Sequence, residues 1–222
     1  VKTALDKYGR IDILIHNAGN TRKMPLKEYT QADFEAVVNV HLMGAFHVVR
    51  PAFPIMCKAG YGRIVLASSA VGLYGNPHTV AYAVSKAGMI GLSNVIALEG
   101  AAEGVKCNLI LPGAVTRLAG GLDTSKYPPT MAPELVAPLA AWLAHESCSI
   151  SGEMLSSFGG RVSTAFIAES RGVFRETWTI EQIAENIDAI RNADVPFITP
   201  VVPAGFQEHM SYTFGMSKGG AA

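Results

Sequence analysis

Short apolar runs alternate along the chain with longer segments in which apolar residues recur every three or four positions. The runs have the length and composition of strands buried on both faces, and they lie at 11–15, 62–67, 105–111 and 152–158. The longer segments predict helices at 31–56, 79–102, 133–145 and 179–191. Helices long enough to cross over between successive strands predict an α/β fold with a parallel sheet covered on both faces.

Polar residues and prolines predict where the helices and loops begin and end. Thr30 and Asp33 resemble a capping box at the start of the first long helix, with Asp in place of the usual Glu. We expect Pro51 and Pro54 to break or kink the end of that helix. The segment 116–130 holds two Pro and two Gly with little periodicity, which is typical of a loop of lid-like length.

The length of 222 residues suits one ordinary domain, and we do not expect two full domains. We expect residues 1–160 to carry the sheet and residues 161–222 to be a C-terminal extension of the same domain, since the pattern changes there to short mixed segments. Val1 is not a Met, and the first eight residues read as the last turns of a helix. We therefore expect a natural N-terminal portion to be missing.

The composition argues against several classes of partner. With 49% hydrophobic residues and a formal net charge of zero, the chain has material for a core and no overall field to attract nucleic acid. No uninterrupted apolar run approaches about 20 residues, so we expect no membrane partner. Three widely spread cysteines favour neither disulfides nor a metal site, and we expect a reducing, cytoplasmic setting.

Tyr82 and Lys86 are the first candidates for chemistry. Four residues apart on a predicted helix, their side chains project from one face, and a neighbouring ammonium lowers the pKa of a phenol. Chance alone gives roughly 0.3 such pairs in a chain with seven Tyr and nine Lys, so the spacing is weak by itself. The alternative is a surface Tyr packed under a Lys stem.

Small and polar residues close three successive predicted strands, and they strengthen the catalytic interpretation. Ser69 follows the second strand, near the carboxyl end where ligands of open α/β sheets bind, and Ser68 is the adjacent candidate. Either serine could instead only cap a turn. The other two strands are closed by Asn17-Ala18-Gly19 and by Pro112-Gly113.

Taken together, these residues give the chain a resemblance to the short-chain dehydrogenase/reductase family. The shared motifs are Asn17-Ala18-Gly19, Ser69 thirteen residues before Tyr82, Tyr82-x-x-x-Lys86 and Pro112-Gly113. The resemblance implies the C-terminal two-thirds of a Rossmann-like, doubly wound parallel sheet, here N-terminally truncated. It also implies interconversion of a secondary alcohol and a ketone with NAD or NADP, with NAD slightly favoured.

Within that family, segments 61–76, 112–117 and 136–148 are similar to the peroxisomal multifunctional-enzyme subgroup and its bacterial relatives. The resemblance implies a 3-hydroxyacyl-CoA or hydroxysteroid substrate, and hence a role in lipid metabolism. It also implies a homodimer or homotetramer built through the two long helices.

The resemblance assigns roles residue by residue. Tyr82 would be the general acid/base, Lys86 would lower the Tyr82 pKa and bind the nicotinamide ribose, and Ser69 would orient the reacting oxygen. The implied cofactor contacts are Asn17, Ala18 and Gly19 along the adenosine, and Pro112, Gly113, Val115 and Thr116 beside the nicotinamide.

His41 stands where the chain departs from the family pattern. Many members carry an Asn five residues before a Phe on the long helix, where it holds a water of the proton relay, and counting back from Phe46 gives His41. The imidazole could hold that water, or it could be a neutral core histidine.

A second departure concerns the phosphates of the cofactor. The 222 residues contain no T-G-x-x-x-G-x-G turn, which in the family places backbone N–H groups against the pyrophosphate. We therefore expect these residues alone to bind dinucleotide weakly or not at all. The alternative function is a non-catalytic truncated subunit or scaffold that associates with a complete partner. A hydrolase using Ser69 is disfavoured because no G-x-S-x-G turn surrounds it.

Overall fold

The protein is described from a computed structural model, which describes residues 1–116, 118, 127 and 129–217. The chain divides into two compact units, Val1–Ala165 and Phe166–Ala222. The division falls five residues after the predicted boundary because residues 161–165 form a strand that pairs within the sheet of the first unit. That the second unit is an extension of the same domain stays a prediction.

The first unit is built on a five-stranded sheet whose strands follow chain order. The strands are β1 (Ile13–His16), β2 (Gly62–Ala67), β3 (Val105–Gly113), β4 (Met154–Phe158) and β5 (Arg161–Ala165). The first four pair in parallel and β5 pairs antiparallel to β4. The predicted α/β class and its four parallel strands are confirmed, with ends displaced by at most two residues, whereas β5 was not predicted.

Helices lie between the parallel strands, and three further helices lie in the described part of the second unit. They are α1 (Lys2–Tyr8), α2 (Gln31–Val38), α3 (Gly44–Ala59), α4 (Ala70–Tyr74), α5 (Val80–Gly100), α6 (Ala137–Ala144), α7 (Ile180–Glu185), α8 (Ile187–Arg191) and α9 (Phe206–Ser217). A π-helical turn, Asn39–Met43, joins α2 to α3, so the predicted first long helix is continuous but not uniformly α-helical. The predicted final helix divides into α7 and α8, and neither α4 nor α9 was predicted.

Pro51 and Pro54 were expected to break or kink the end of the first long helix, and they do not break it. Pro51 and Pro54 both lie inside α3, which continues to Ala59 and ends at Gly60 with a left-handed φ of 67°. Val49 and Met56 are buried on the face of α3 that packs on the sheet. This packing outweighs the local preference of proline against a helix interior.

The core lies on both faces of the central strands. All six residues of β2 are buried. Val65 and Ala67 pack in one cluster with Leu139 and Leu143 of α6. Because side chains alternate along a strand, the remaining apolar residues of β2 face the other side, where α3 and α5 pack.

Two helical segments of the first unit, Gln31–Ala59 and Val80–Glu103, are long and apolar enough to cross a membrane by length and composition, with mean hydropathy of 1.2 and 1.3. From the sequence we expected no such segment. Core helices of globular folds meet the same criterion, and both segments here pack on the sheet.

Candidate active site

The candidate residues converge because parallel strands end at the same edge of a sheet. In the registers of β1 with β2 and of β2 with β3, His16 lies opposite Leu66 and Ala67 lies opposite Ile110. The carboxyl ends of these strands therefore lie side by side. Ligands of open α/β sheets bind just outside such ends.

Ser69 and Tyr82 are brought together there, as predicted. Ser69 is the N-cap of α4, and its Oγ accepts a hydrogen bond from the Val71 N–H at 3.1 Å. Tyr82 lies half-buried in the first turn of α5, near enough to Ser69 for hydrogen bonding between the two side chains to affect the Tyr82 pKa. The two hydroxyl groups therefore face one small volume.

Lys86 lies one turn further along α5 and is buried, with an exposed fraction of 4%. Its Nζ is 5.4 Å from the centre of the Tyr82 ring and donates a hydrogen bond to the Ala67 carbonyl at 2.5 Å. Burial without a carboxylate lowers the pKa of Lys86 to about 8.

The pKa of Tyr82 is shifted upwards, whereas the sequence predicted a downward shift. Burial raises the pKa of the phenol above its ordinary value, and the hydrogen bond with Ser69 opposes that rise. The Lys86 ammonium lies beside the ring without reversing the effect of burial. In this structure the phenol is therefore held in its protonated form at neutral pH.

His41 lies against the same phenol. It belongs to the π-helical turn, is fully buried, and meets the Tyr82 ring edge-on at a centroid distance of 5.2 Å and an interplanar angle of 89°. Burial lowers the pKa of His41 to about 4, and the positive charge of Lys86 acts in the same direction. The imidazole is therefore neutral at physiological pH.

The hydrogen bonds of His41 leave one ring nitrogen without a partner. Its Nε2 lies 2.7 Å from the Asn20 carbonyl oxygen and 3.1 Å from the Asn20 backbone nitrogen. The shorter contact requires a protonated Nε2 that donates to the carbonyl, which leaves Nδ1 as an acceptor. Within the described part of the chain Nδ1 has no partner, so it can accept a hydrogen bond from a water or a ligand.

The predicted turn Asn17-Ala18-Gly19 follows β1 directly and is exposed at all three residues. A Cβ on Gly19 would lie 2.5 Å from Cε1 of His41, so this glycine is required for the close approach of the turn and the His41 side chain. The structure thus brings the turn beside His41. Its implied contact with the adenosine of a cofactor stays a prediction.

The predicted pair Pro112-Gly113 forms the last two residues of β3 instead of following it. A Cβ on Gly113 would overlap the ring of Phe158, which explains the glycine by packing between β3 and β4. Val115 donates its N–H to the Met131 carbonyl at 2.8 Å, and Thr116 is exposed. The contacts of these residues with nicotinamide stay predictions, and most of the predicted loop 116–130 lies outside the described residues.

Three residues near the site, His16, Asn20 and Gly72, had not been assigned a role from the sequence, and Ser68 had been named only as the alternative to Ser69. His16 is buried with Nδ1 lacking a partner, and burial, aided by Lys86, lowers its pKa. Asn20 holds His41, while Ser68 and Gly72 contact the backbone of Lys86. Two features of the sequence could have pointed to these residues. His16 lies at the end of a strand, and Ser68 lies next to Ser69.

This arrangement can bind and polarise one oxygen atom. Two adjacent hydroxyl groups can each hydrogen-bond to it, the phenol can give it a proton, and the buried ammonium favours the phenolate that results. Among the described residues there is no group of three or more His, Cys, Asp or Glu side chains arranged to hold a metal ion.

Comparisons with known proteins agree with the geometry. The sequence model of the family described as short chain dehydrogenase matches residues 1–123. The chain is 40% identical over 172 residues to peroxisomal multifunctional enzyme type 2 of Drosophila melanogaster, covering 78% of this chain and 29% of that protein. It is 38% identical over 173 residues to 3-oxoacyl-(acyl-carrier-protein) reductase of Thermotoga maritima, covering 73% and 70% of the two chains.

Solved structures give the same result. The full-length Drosophila enzyme superposes with a TM-score of 0.80 at 31% identity, over 93% of this chain and 38% of that chain. ElxO with NADP bound superposes with a TM-score of 0.65 at 30% identity, over 72% of this chain and 70% of that chain. The chain therefore spans less than half the length of the Drosophila enzyme that it matches.

Proposed function

The chain belongs to the short-chain dehydrogenase family of oxidoreductases, and from this premise we propose that it interconverts a secondary alcohol and a ketone with NAD or NADP. The observation that carries the proposal is the buried Lys86 ammonium 5.4 Å from the centre of the Tyr82 ring, with the Ser69 side chain near enough to lower the Tyr82 pKa.

Each of these side chains has a part in moving one proton. In ketone reduction, the Tyr82 hydroxyl donates its proton to the carbonyl oxygen while the Ser69 hydroxyl holds that oxygen in place. The raised pKa of Tyr82 keeps the phenol protonated and ready to donate. In alcohol oxidation Tyr82 must accept the proton, and the nearby Lys86 ammonium stabilises the phenolate formed before that step.

His41 and Lys86 then connect the phenol with the surrounding protein. Both have a buried polar group close to Tyr82, and the neutral imidazole leaves Nδ1 free to accept a hydrogen bond. A water on Nδ1 would complete a path for the proton towards the surface, which is our interpretation of His41 in place of the family Asn.

The residues present fit the two nucleoside ends of a nicotinamide dinucleotide. When bound, this cofactor takes up or supplies the hydride. Lys86 and the exposed turn Asn17-Ala18-Gly19 lie at the strand ends, where the ribose and adenosine would be held. The 222 residues contain no Gly-rich turn for the pyrophosphate. We therefore propose that a polypeptide of these residues alone binds NAD(H) and NADP(H) weakly and turns over slowly.

For the substrate we propose a 3-hydroxyacyl or 3-oxoacyl thioester, with a hydroxysteroid as the alternative. The support is the similarity to the Thermotoga reductase, which acts on a 3-oxoacyl group, and the resemblance to the multifunctional-enzyme subgroup. Acyl thioesters and steroid alcohols share a secondary alcohol or ketone on an apolar body. The site chemistry alone therefore does not separate them.

The test uses the intact protein as its gene encodes it. Purified protein is assayed with a panel of 3-hydroxyacyl-CoA thioesters and steroid alcohols, with NAD⁺ and NADP⁺ separately, by the absorbance of reduced nicotinamide. We expect turnover of at least one thioester, and a loss of roughly 100- to 10,000-fold in kcat for Tyr82→Phe. Full activity in Tyr82→Phe would refute the proposed chemistry.

A non-catalytic subunit is the second candidate function, and it is favoured by the missing Gly-rich turn. The DNA upstream of the codon for Val1 separates the two candidates. An open frame encoding a strand and a Gly-rich turn favours the enzyme, whereas a start codon immediately upstream favours the subunit.

A further inference from the structure

Ser68 lies directly after β2 and beside Ser69, and the proposed function gives it no role. Its side chain is 1% exposed, and its Oγ donates a hydrogen bond to the backbone carbonyl of Lys86 at 2.7 Å. In the reverse direction, the Lys86 Nζ donates to the backbone carbonyl of Ala67 at 2.5 Å. Two hydrogen bonds of opposite direction therefore join the end of β2 to a single residue of α5.

The acceptor of Ser68 is unusual because it lies in the interior of a helix. A carbonyl inside an α-helix already accepts the N–H four residues later and has one further lone pair. A serine after a strand could equally cap the next helix, as Ser69 does for α4. The hydroxyl of Ser68 instead contacts α5 at the residue whose ammonium serves the site.

Gly72 brings a third contact to the same residue. A Cβ on Gly72 would lie 2.7 Å from the carbonyl carbon of Lys86, 2.8 Å from the Ala87 nitrogen and 2.9 Å from the Lys86 Cβ. Without a side chain, α4 packs directly on the α5 backbone at Lys86. Because Ser69 is the N-cap of α4, this packing also fixes Ser69 relative to α5.

The geometry points to Ser68 and Gly72 as positioning residues for the reaction: together they fix the Lys86 backbone against the end of β2, so that Tyr82 meets Ser69 while the ammonium reaches Ala67. This inference rests on the proposed function and deepens it. Neither residue touches the reacting oxygen, and both act through Lys86 and Ser69.

The chain offers a matched control in Ser85. Ser85 is also fully buried and also donates its Oγ to a backbone carbonyl of α5, that of Ala81 at 2.7 Å. That bond lies within one helix and joins no other element. Ser68→Ala and Ser85→Ala therefore remove the same group and the same kind of hydrogen bond, but only the first removes a bond between α5 and the end of β2.

The experiment measures kcat, KM and the pH profile of kcat in the intact protein for Ser68→Ala, Ser68→Cys, Ser85→Ala and Tyr82→Phe. A smaller folded fraction lowers kcat by the same factor at every pH and leaves the shape of the pH profile unchanged. Displaced side chains instead shift the pH at which kcat rises or falls, because Lys86 and Tyr82 set that pH. His16 and His41 are the other titratable groups near Lys86. For Ser68→Ala we expect kcat to fall roughly 10- to 100-fold with a displaced limb, as misplacement of about 1 Å produces. For Ser85→Ala we expect an unmoved profile.

Ser68→Cys keeps a weaker donor of similar size and should fall between Ser68→Ala and the wild type. It serves as the test variant if Ser68→Ala fails to fold. An unmoved profile and a kcat within about twofold of the wild type in the folded Ser68 variant would overturn the positioning role while leaving the proposed function intact. Full activity in Tyr82→Phe would remove the proposed function, and this inference with it.

Discussion

His41 shows how a single buried residue can combine structural and chemical roles. Its Nε2 is held by the Asn20 backbone, its ring lies edge-on to Tyr82, and Gly19 leaves it just enough room. The same enclosure that orients the ring prevents it from carrying a charge, since burial disfavours the imidazolium. Near neutral pH, His41 can therefore orient and accept hydrogen bonds without placing a second positive charge beside Lys86.

This enclosure predicts a loss of stability in acid. The pKa of His41 is about 4 in the folded protein against 6.5 for an ordinary histidine, so the unfolded chain binds a proton first as the pH falls. The contribution of His41 is complete above pH 6.5 and is lost between pH 6.5 and 4, by up to about 3 kcal/mol. Urea unfolding across this range should show a shallower decline for His41→Asn than for the wild type.

His47 supplies the control for that experiment, because it is exposed on α3 close to the same turn. His47→Asn makes the same substitution at this exposed position and so measures the effect of the substitution itself. His16, whose pKa burial also lowers, remains in every variant. If the free energy of unfolding falls equally with pH in His41→Asn and in the wild type, the buried imidazole does not cause the loss of stability in acid.

At the scale of the elements, the turns opposite the site are fixed by two glycines with left-handed backbone. Gly60 ends α3 and Gly104 precedes β3, with φ values of 67° and 73°. A Cβ on Gly104 would lie 2.2 Å from the Gly60 carbonyl oxygen, whereas a Cβ on Gly60 would meet nothing within 4 Å. The two positions share a conformation and differ in crowding.

We expect Gly104→Ala to be the more destabilising of the two changes. The left-handed conformation costs about 1 to 2 kcal/mol for alanine at either position. At Gly104 the steric overlap of the new Cβ with the Gly60 carbonyl oxygen adds to this cost, for a total destabilisation of about 2 to 5 kcal/mol. Thermal or urea unfolding of the two variants measures the difference. Equal losses at the two positions would mean that the crowded turn relaxes without cost.

The elements also show what the sequence could and could not predict. The four parallel strands and the capped start of α2 follow from local patterns, and the structure confirms them. The continuation of α3 through Pro51 and Pro54 does not follow, because packing on the sheet decides it. The role of Ser68 was hidden for the same reason: its partner lies eighteen residues away, on another element.

The candidate site was predictable to a similar extent. Ser69, Tyr82 and Lys86 follow from spacing and from their order relative to the strands, and the structure brings them together. The direction of the Tyr82 pKa was predicted wrongly, because a sequence shows which charges are near but not how much water is excluded.

At the scale of the whole molecule, β1 is the outermost strand of the described sheet, and among the described residues it pairs with β2 alone. Ile13 and Ile15 are 49% and 50% exposed on it. An open strand edge with exposed apolar side chains favours pairing with other chains. The polypeptide of these 222 residues should therefore self-associate.

Replacing both residues with lysine should reduce that association, since charged side chains disfavour pairing at strand edges. Sedimentation velocity of Ile13→Lys/Ile15→Lys should show a smaller fraction of oligomers than the wild type. The control is Ile180→Lys/Ile183→Lys, which adds the same charge to two exposed isoleucines of α7. An equal reduction in the control would indicate that net charge, and not the strand edge, governs association.

The π-helical turn between α2 and α3 has a consequence for how this fold tolerates change. Such a turn holds one more residue than an α-helical turn, and each residue of an α-helix advances the side-chain direction by about 100°. A chain shortened by one residue within 39–43 could remain helical throughout while α2 and α3 changed their relative rotation. The number of residues in this turn, and not their hydrophobicity, thus sets whether an imidazole can reach the phenol.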